Sequence, residues 1–201
     1  MSGRHEVTLQ TYRTIVTDPP WPLKMGSRRT NKTTSKTWGA HHDIRPVPYE
    51  TMTLEAIAAL PVMDLAEENA HLYCWTTNRF LEATFEIVRG WGFKPGQVLT
   101  WAKAPMGLGP GGAFAQTTEH CIFARRGTAP HQTRVDRTCF DWKRPYGPTG
   151  KPAHSAKPEA FLDMVEQISP GPYLEMFSRR ARLGWDTWGN ESLHGGEAAS
   201  A

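Results

Sequence analysis

The densest chemistry in this chain sits at Asp18-Pro19-Pro20-Trp21. A β-branched run, residues 13–18 (RTIVTD), reads as a strand that stops at the two prolines, because proline cannot continue a strand ladder. A carboxylate therefore stands at a strand end, followed by two residues without a backbone N–H. Such a surface is expected to offer acceptors, the Asp18 oxygens and nearby carbonyls, without competing donors. Trp21 adds a flat apolar face. Together they suit an exocyclic amine on a planar ring: the amine donates two hydrogen bonds and the ring stacks on the indole. The amino nitrogen of adenine is a poor nucleophile because its lone pair is delocalised into the ring. Acceptors on both N–H bonds favour a pyramidal nitrogen, aim the lone pair and stabilise the charge that develops during attack. The plainer reading is a rigid turn closing a strand, and the full four-residue combination weighs against it.

These residues need a frame to hold them. Thr53 caps a short helix over 53–60 that Pro61 stops. Residues 71–76 (HLYCWT) read as a buried strand, and Asn78 as the cap of a helix reaching about Arg89, which Gly90 and Gly92 end. Strands are expected at 97–103 and 117–125. A helix from Pro158 to Ile168 carries Phe161, Met164, Val165 and Ile168 on one stripe. Two last strands follow at 172–177 and 185–189. Alternating strands and helices imply an α/β sheet with helices on its faces, which binds ligands beyond the carboxyl ends of its strands. Asp18, Glu175 to Phe177 and Gly189 to Glu191 all fall near such ends.

The chain has 201 residues, of which 39% are hydrophobic and 21% charged, enough for one domain with a full core. The reading is a single domain over 1–195 with a mobile tail at 196–201. No apolar run is long enough to span a membrane, and no signal peptide is read at the N-terminus. Cys74, Cys121 and Cys139 fit neither a disulfide framework nor zinc spacing, which points to a reducing cytoplasm and no metal. The net charge of +3 permits a polyanionic partner without requiring one. Eight tryptophans fit a Trp-rich core better than a set of base-stacking platforms. The literal Gly107-x-Gly109-x-x-Gly112 is discounted as a dinucleotide fingerprint, because Pro110 removes a donor and no amphipathic helix follows. Lys24, Arg28 and Arg29 lie in a long polar loop suited to a phosphate backbone, or else to plain solvation.

With these segments in view, the chain resembles the adenine-N6 methyltransferases of the MT-A type, whose catalytic signature is DPPW. Further segments follow in family order over residues 13–191: Val47-Pro48-Tyr49-Glu50-Thr51-Met52, His71 to Asn78, Thr100 to Lys103, Glu119-His120-Cys121, His154 to Pro158, Leu174 to Arg179, and Trp188 to Glu191. The resemblance implies S-adenosylmethionine as methyl donor. It also implies a Rossmann-like fold with a mostly parallel sheet, helices on both faces, and the permuted order in which the catalytic motif precedes the cofactor strand. It implies that Asp18 and the Pro19 carbonyl accept from the target amine, with Pro20 and Trp21 completing the catalytic motif and Trp21 walling the base pocket. Asp18, Lys157, Glu175, Phe177, Arg179, Asn190 and Glu191 are the expected cofactor side. Lys157 suits a carboxylate or the target base, and the acids suit ribose hydroxyls. Phe177 either faces the sulfonium or fills core. Tyr49 and Glu119 are expected toward the target base, with buried pairing the plainer role for Glu119. The compact chain resembles microbial and phage DNA enzymes more than the long eukaryotic RNA enzyme. DNA is the expected partner, RNA or a non-catalytic binding subunit the alternatives, and the state a monomer or homodimer.

Overall fold

The computed structural model describes residues 10–22, 50–103, 114, 116–146, 156–178 and 180–189. Seven strands form one sheet: β1 (Tyr12–Thr17), β2 (Ala66–Thr76), β3 (Lys94–Ala102), β4 (Thr118–Arg126), β5 (Cys139–Phe140), β6 (Tyr173–Met176) and β7 (Trp185–Trp188). Their spatial order is β5-β3-β4-β2-β1-β6-β7. Strands β2, β1, β6 and β7 pair in parallel, as do β3 and β5, and only β4 runs against its neighbours β2 and β3. The mostly parallel α/β sheet expected from the sequence is the one found.

Central strands of such a sheet are covered on both faces, so they read as continuous apolar or β-branched runs. β1 fits this: all of it but Arg13 is buried. Its side chains alternate between two cores. Ile15 joins Leu72, Cys74, Leu174 and Met176 under α1 (Leu54–Ala58) and α3 (Leu81–Gly90), through Ile57, Ile87 and Val88. Val16 joins Tyr73 and Trp75 under α4 (Glu159–Ile168), through Phe161, Leu162, Met164 and Val165. Trp75, Trp91, Trp101 and Trp185 are buried in these cores, as the composition suggests.

The local signals act largely as expected. Thr53 Oγ1 accepts from the Ala56 amide at 3.1 Å and caps α1. Three elements differ. Asn78 is not a helix cap: it opens a 3-10 turn, Asn78–Phe80, and its amide hydrogen-bonds Thr118 and His120 of β4. Tertiary partners override the local capping role. β2 begins five residues earlier than its apolar run, at Ala66, and β3 at Lys94 despite Pro95 and Gly96, where its register slips. The short α2 (Val62–Leu65) and β5 carry too little periodicity to be read. Expectations for 196–201 and for 107–112 lie outside the described residues.

One buried polar chain joins the sheet to the end of α4. His71, fully buried, donates from Nε2 to the Ala129 carbonyl at 3.2 Å, because a carbonyl can only accept. Its Nδ1 then accepts from Ser169 Oγ at 2.7 Å, and Ser169 Oγ accepts from Tyr73 at 2.9 Å. Burial lowers the His71 pKa; the Ala129 carbonyl opposes this, while Arg125, His131 and Arg13 add to it. The unfolded chain therefore binds the His71 proton more readily than the fold does. Stability should be lost as pH falls below about 6.5, with a slope from this group of at most about 1.4 kcal/mol per pH unit. Urea titrations from pH 8 to 5 on the native chain and on His71→Gln measure it; the variant should show the shallower decline.

Candidate active site

Strand register gathers the sequence-distant site residues at one end of the sheet. Thr17 lies opposite Cys74 on one side and Met176 on the other, and Met176 opposite Trp188. Trp75 faces Cys121, and Trp101 faces Glu119. Asp18, Phe177, Gly189 and the start of β4 thus meet at the carboxyl ends of the parallel strands.

The turn after β1 is fixed from within. The Trp21 amide donates to the Pro19 carbonyl at 2.8 Å, and the Met52 amide to the Pro20 carbonyl at 2.8 Å. The expectation of carbonyls without competing donors is corrected here. Removing two proline N–H groups does not keep later amides away, and a carbonyl such as Pro19 has a second lone pair left for a ligand. Trp21 also differs from its expected role. Its ring is 4% exposed, stacks on Phe80 at 5.4 Å and 15°, and donates its indole N–H to the Trp75 carbonyl at 3.0 Å. It anchors the turn into the core and presents no open face to a base.

Around Asp18 stands a chain of alternating charges. Lys157 Nζ lies 2.7 Å from Asp18 Oδ2 and 3.1 Å from Glu119 Oε2, and Lys103 bonds the other Glu119 oxygen. Only 10% of the Lys157 side chain and 13% of Lys103 is exposed. Burying an ammonium is costly unless opposite charge outweighs the lost hydration. The two lysines resolve that balance differently. Lys157 has burial against it but two carboxylates beside it, and its pKa rises above the ordinary lysine value. Lys103 has one carboxylate, with Lys157 and Arg144 repelling it, so burial prevails and its pKa falls. For Glu119, burial opposes ionisation, yet Lys157 and Lys103 together hold it down at about 2. Two indoles lie under these cations: Lys157 is 5.1 Å from the Trp75 ring centre and Lys103 4.5 Å from that of Trp101.

The other flank is built by β6 and β7. Glu175 is 9% exposed and accepts from Ser178 Oγ at 2.8 Å. Its pKa is raised: burial and the charges of Asp18 and Glu159 outweigh Ser178 and Arg180. Phe177 takes a left-handed φ of 63°, rare for a bulky residue and characteristic of functional turns. Its amide donates to the Trp188 carbonyl at 2.7 Å, and its ring packs on the core beside Trp188. A Cβ on Gly189 would come within 3.2 Å of that ring. The loop beyond is tied to α4 by Arg182, which bonds both Glu166 oxygens at 2.9 Å and Asp163 at 2.7 Å, and by Arg180 on Glu159 at 2.5 Å.

Of the residues singled out in the sequence, Asp18, Lys157 and Glu119 come into direct contact, and Glu175 and Phe177 flank them. Lys24, Arg28, Arg29, Tyr49, Arg179, Asn190 and Glu191 lie outside the described residues. Because Asp18 and Glu119 already neutralise Lys157, it is not a loose cation waiting for a cofactor carboxylate. Sequence reasoning missed Lys103, although it closes the family-like segment Thr100-Trp101-Ala102-Lys103. It also missed Trp75 and Trp101 as the floor beneath the lysines, and Arg180.

A strand-end carboxylate set in a mostly parallel sheet, with a buried acid and a left-handed turn one strand away, marks the place where α/β proteins of this class bind their ligands. The family model MT-A70 matches residues 12–191. The chain is 29% identical over 190 residues to the type II methyltransferase M.MunI of a Mycoplasma species, covering 90% of this chain and 77% of that protein. It is 27% identical over 208 residues to the human N(6)-adenine-specific methyltransferase METTL4, covering 92% of this chain but 38% of that one. With the MT-A70-like N(6)-adenosine-methyltransferase of Arabidopsis thaliana it shares 24% over 192 residues, covering 91% and 24%. The chain belongs to the MT-A70 family, whose fold is that of S-adenosylmethionine-dependent methyltransferases.

The polar groups at the β6 edge fit that cofactor. A buried acid suits hydroxyls or an ammonium, and Arg180 Nη2 is a buried donor without a hydrogen-bond partner among the described residues.

Glu119→Gln should leave two buried ammoniums facing one carboxylate. Urea denaturation at pH 7 should read a loss of about 3 kcal/mol, whereas an exposed ion pair would give less than about 1 kcal/mol.

Proposed function

We propose that this protein transfers a methyl group from S-adenosylmethionine to the N6 amine of adenine in DNA. The observation that carries this reading is the Asp18 carboxylate, held at the end of β1 one strand from the buried Glu175 of β6. When bound, the cofactor would supply a methyl group on a sulfonium, whose carbon–sulfur bond would break as the nitrogen–carbon bond forms, leaving a neutral thioether. The target amine donates one hydrogen to Asp18 and the other to the second lone pair of the Pro19 carbonyl. Both acceptors stabilise positive charge as the nitrogen attacks. Lys157 keeps its proton in this surrounding and so acts as a counter-charge rather than a base. It yields part of Asp18 when the amine arrives, with Glu119 still holding it. The proton leaves the methylated nitrogen for Asp18 or water.

On the cofactor side, Glu175 is placed to accept from ribose hydroxyls, and Phe177 shapes the turn that the cofactor meets. The family resemblance adds Arg179, Asn190 and Glu191 there. It adds Tyr49 on the nucleic-acid side, and the basic run with Lys24, Arg28 and Arg29 suits the phosphate backbone. An adenine inside a duplex cannot reach Asp18, so the base is flipped or the strand is single. The choice of DNA is supported by likeness: identity is 29% to the type II methyltransferase M.MunI against 24% to the MT-A70-like N(6)-adenosine-methyltransferase of Arabidopsis thaliana. The chain spans less than half the length of the METTL4 and MT-A70-like relatives. We place the protein in the cytoplasm, where Cys74, Cys121 and Cys139, all free, stay reduced. No helix among the described residues is long and apolar enough to cross a membrane.

Labelled S-adenosylmethionine incubated with matched DNA and RNA oligonucleotides, then digestion to nucleosides, should place the label in N6-methyladenine from DNA. Label in RNA alone, or in N4-methylcytosine, would replace the substrate. Asp18→Ala should lower turnover by at least about 100-fold while cofactor affinity changes little. Wild-type turnover in that variant would remove Asp18 from the mechanism.

A further inference from the structure

Beyond β5 the sequence reads only as a loop, yet the sheet gives this stretch a definite course. Parallel pairing sets Trp101 opposite Phe140, so residues 141–146 (DWKRPY) run past the same sheet edge as Lys103. This strap is clamped. Trp142 stacks on Phe140 at 4.1 Å and 8°, and meets Phe161 edge-on at 5.7 Å. Its carbonyl accepts the Trp101 indole N–H at 2.9 Å. The two residues after this anchor are Lys143, exposed, and Arg144, half-buried; Tyr146 follows with 56% of its surface exposed.

Arg144 stands close enough to Lys103 to push against its charge. Two cations within electrostatic reach of each other repel, and an anion near both relieves that repulsion. An irregular strap with a fixed backbone, a basic pair and a solvent-facing aromatic ring has the makings of a strand grip. Guanidinium and ammonium groups position phosphates, and a free ring stacks on a base without regard to its identity.

We propose that the strap 141–146 grips the substrate strand beside the target adenine, with Lys143 and Arg144 on its phosphates and Tyr146 stacked on a neighbouring base. This rests on the methyltransferase reading above and adds to it a backbone-binding surface separate from the Asp18 site. The grip is blind to sequence, and it sets how the strand lies when the adenine enters.

The test uses the full chain and a fluorescent oligonucleotide, in DNA and RNA forms, with binding read by anisotropy from 50 to 200 mM salt. Lys143→Gln/Arg144→Gln should weaken binding and reduce the slope of log K against log salt by about 1 for each phosphate no longer neutralised. Tyr146→Ala should weaken binding about 10-fold with the slope intact. Lys94→Gln, on an exposed residue at the opposite end of β3, should leave both unchanged. Equal affinity and slope in the double variant and the native chain would overturn the proposal. Methylation by the native chain is scored separately, so loss of the enzymatic reading and loss of the strap are told apart.

Discussion

The site depends on keeping two ammoniums and two carboxylates together in a place with little water. Each charge alone would be costly there, and each is tolerated because its neighbour is of opposite sign. The order Asp18, Lys157, Glu119, Lys103 places the strand-end carboxylate at one end of the chain of charges. In the proposed reaction, an arriving amine would meet an acceptor whose counter-ion has a second carboxylate to hold it. The indoles of Trp75 and Trp101 beneath the lysines add attraction while making no demand for water.

Sheet geometry makes this chain of charges possible. Asp18 and Lys157 are 139 positions apart and Glu119 lies between them in sequence. They meet because β1, β2 and β4 are adjacent and α4 lies over the same face through Phe161 and Val165. The antiparallel course of β4 matters: it brings the beginning of that strand, where Glu119 stands, to the end where β1 and β6 finish. The flank that suits the cofactor is shaped by backbone as much as by side chains, through the left-handed Phe177 against Gly189.

Much of the frame was legible in the chain itself. The β-branched run before Pro19, the Thr53 cap and the stripe on α4 carry strong local signals, and each gives the element expected. Asn78 misleads because a capping residue is equally a hydrogen-bond donor for a neighbouring strand. β5 is two residues long and exists only because β3 is beside it. Lys103 could have been found from its place after Trp101, but a single lysine near a loop carries no local mark of burial.

The sequence alone determined the order of the main strands and helices, the strand-end position of Asp18 and the resemblance to the MT-A70 family, because these follow from periodicity, proline chemistry and motif order. Only the tertiary structure decided that Trp21 is an anchor, that Lys157 is bound by two acids, and that Arg144 comes within electrostatic reach of Lys103. Those outcomes depend on which side chains share a buried space. That is set by long-range register and by the competition between hydration and opposite charge, neither of which is encoded in neighbouring residues.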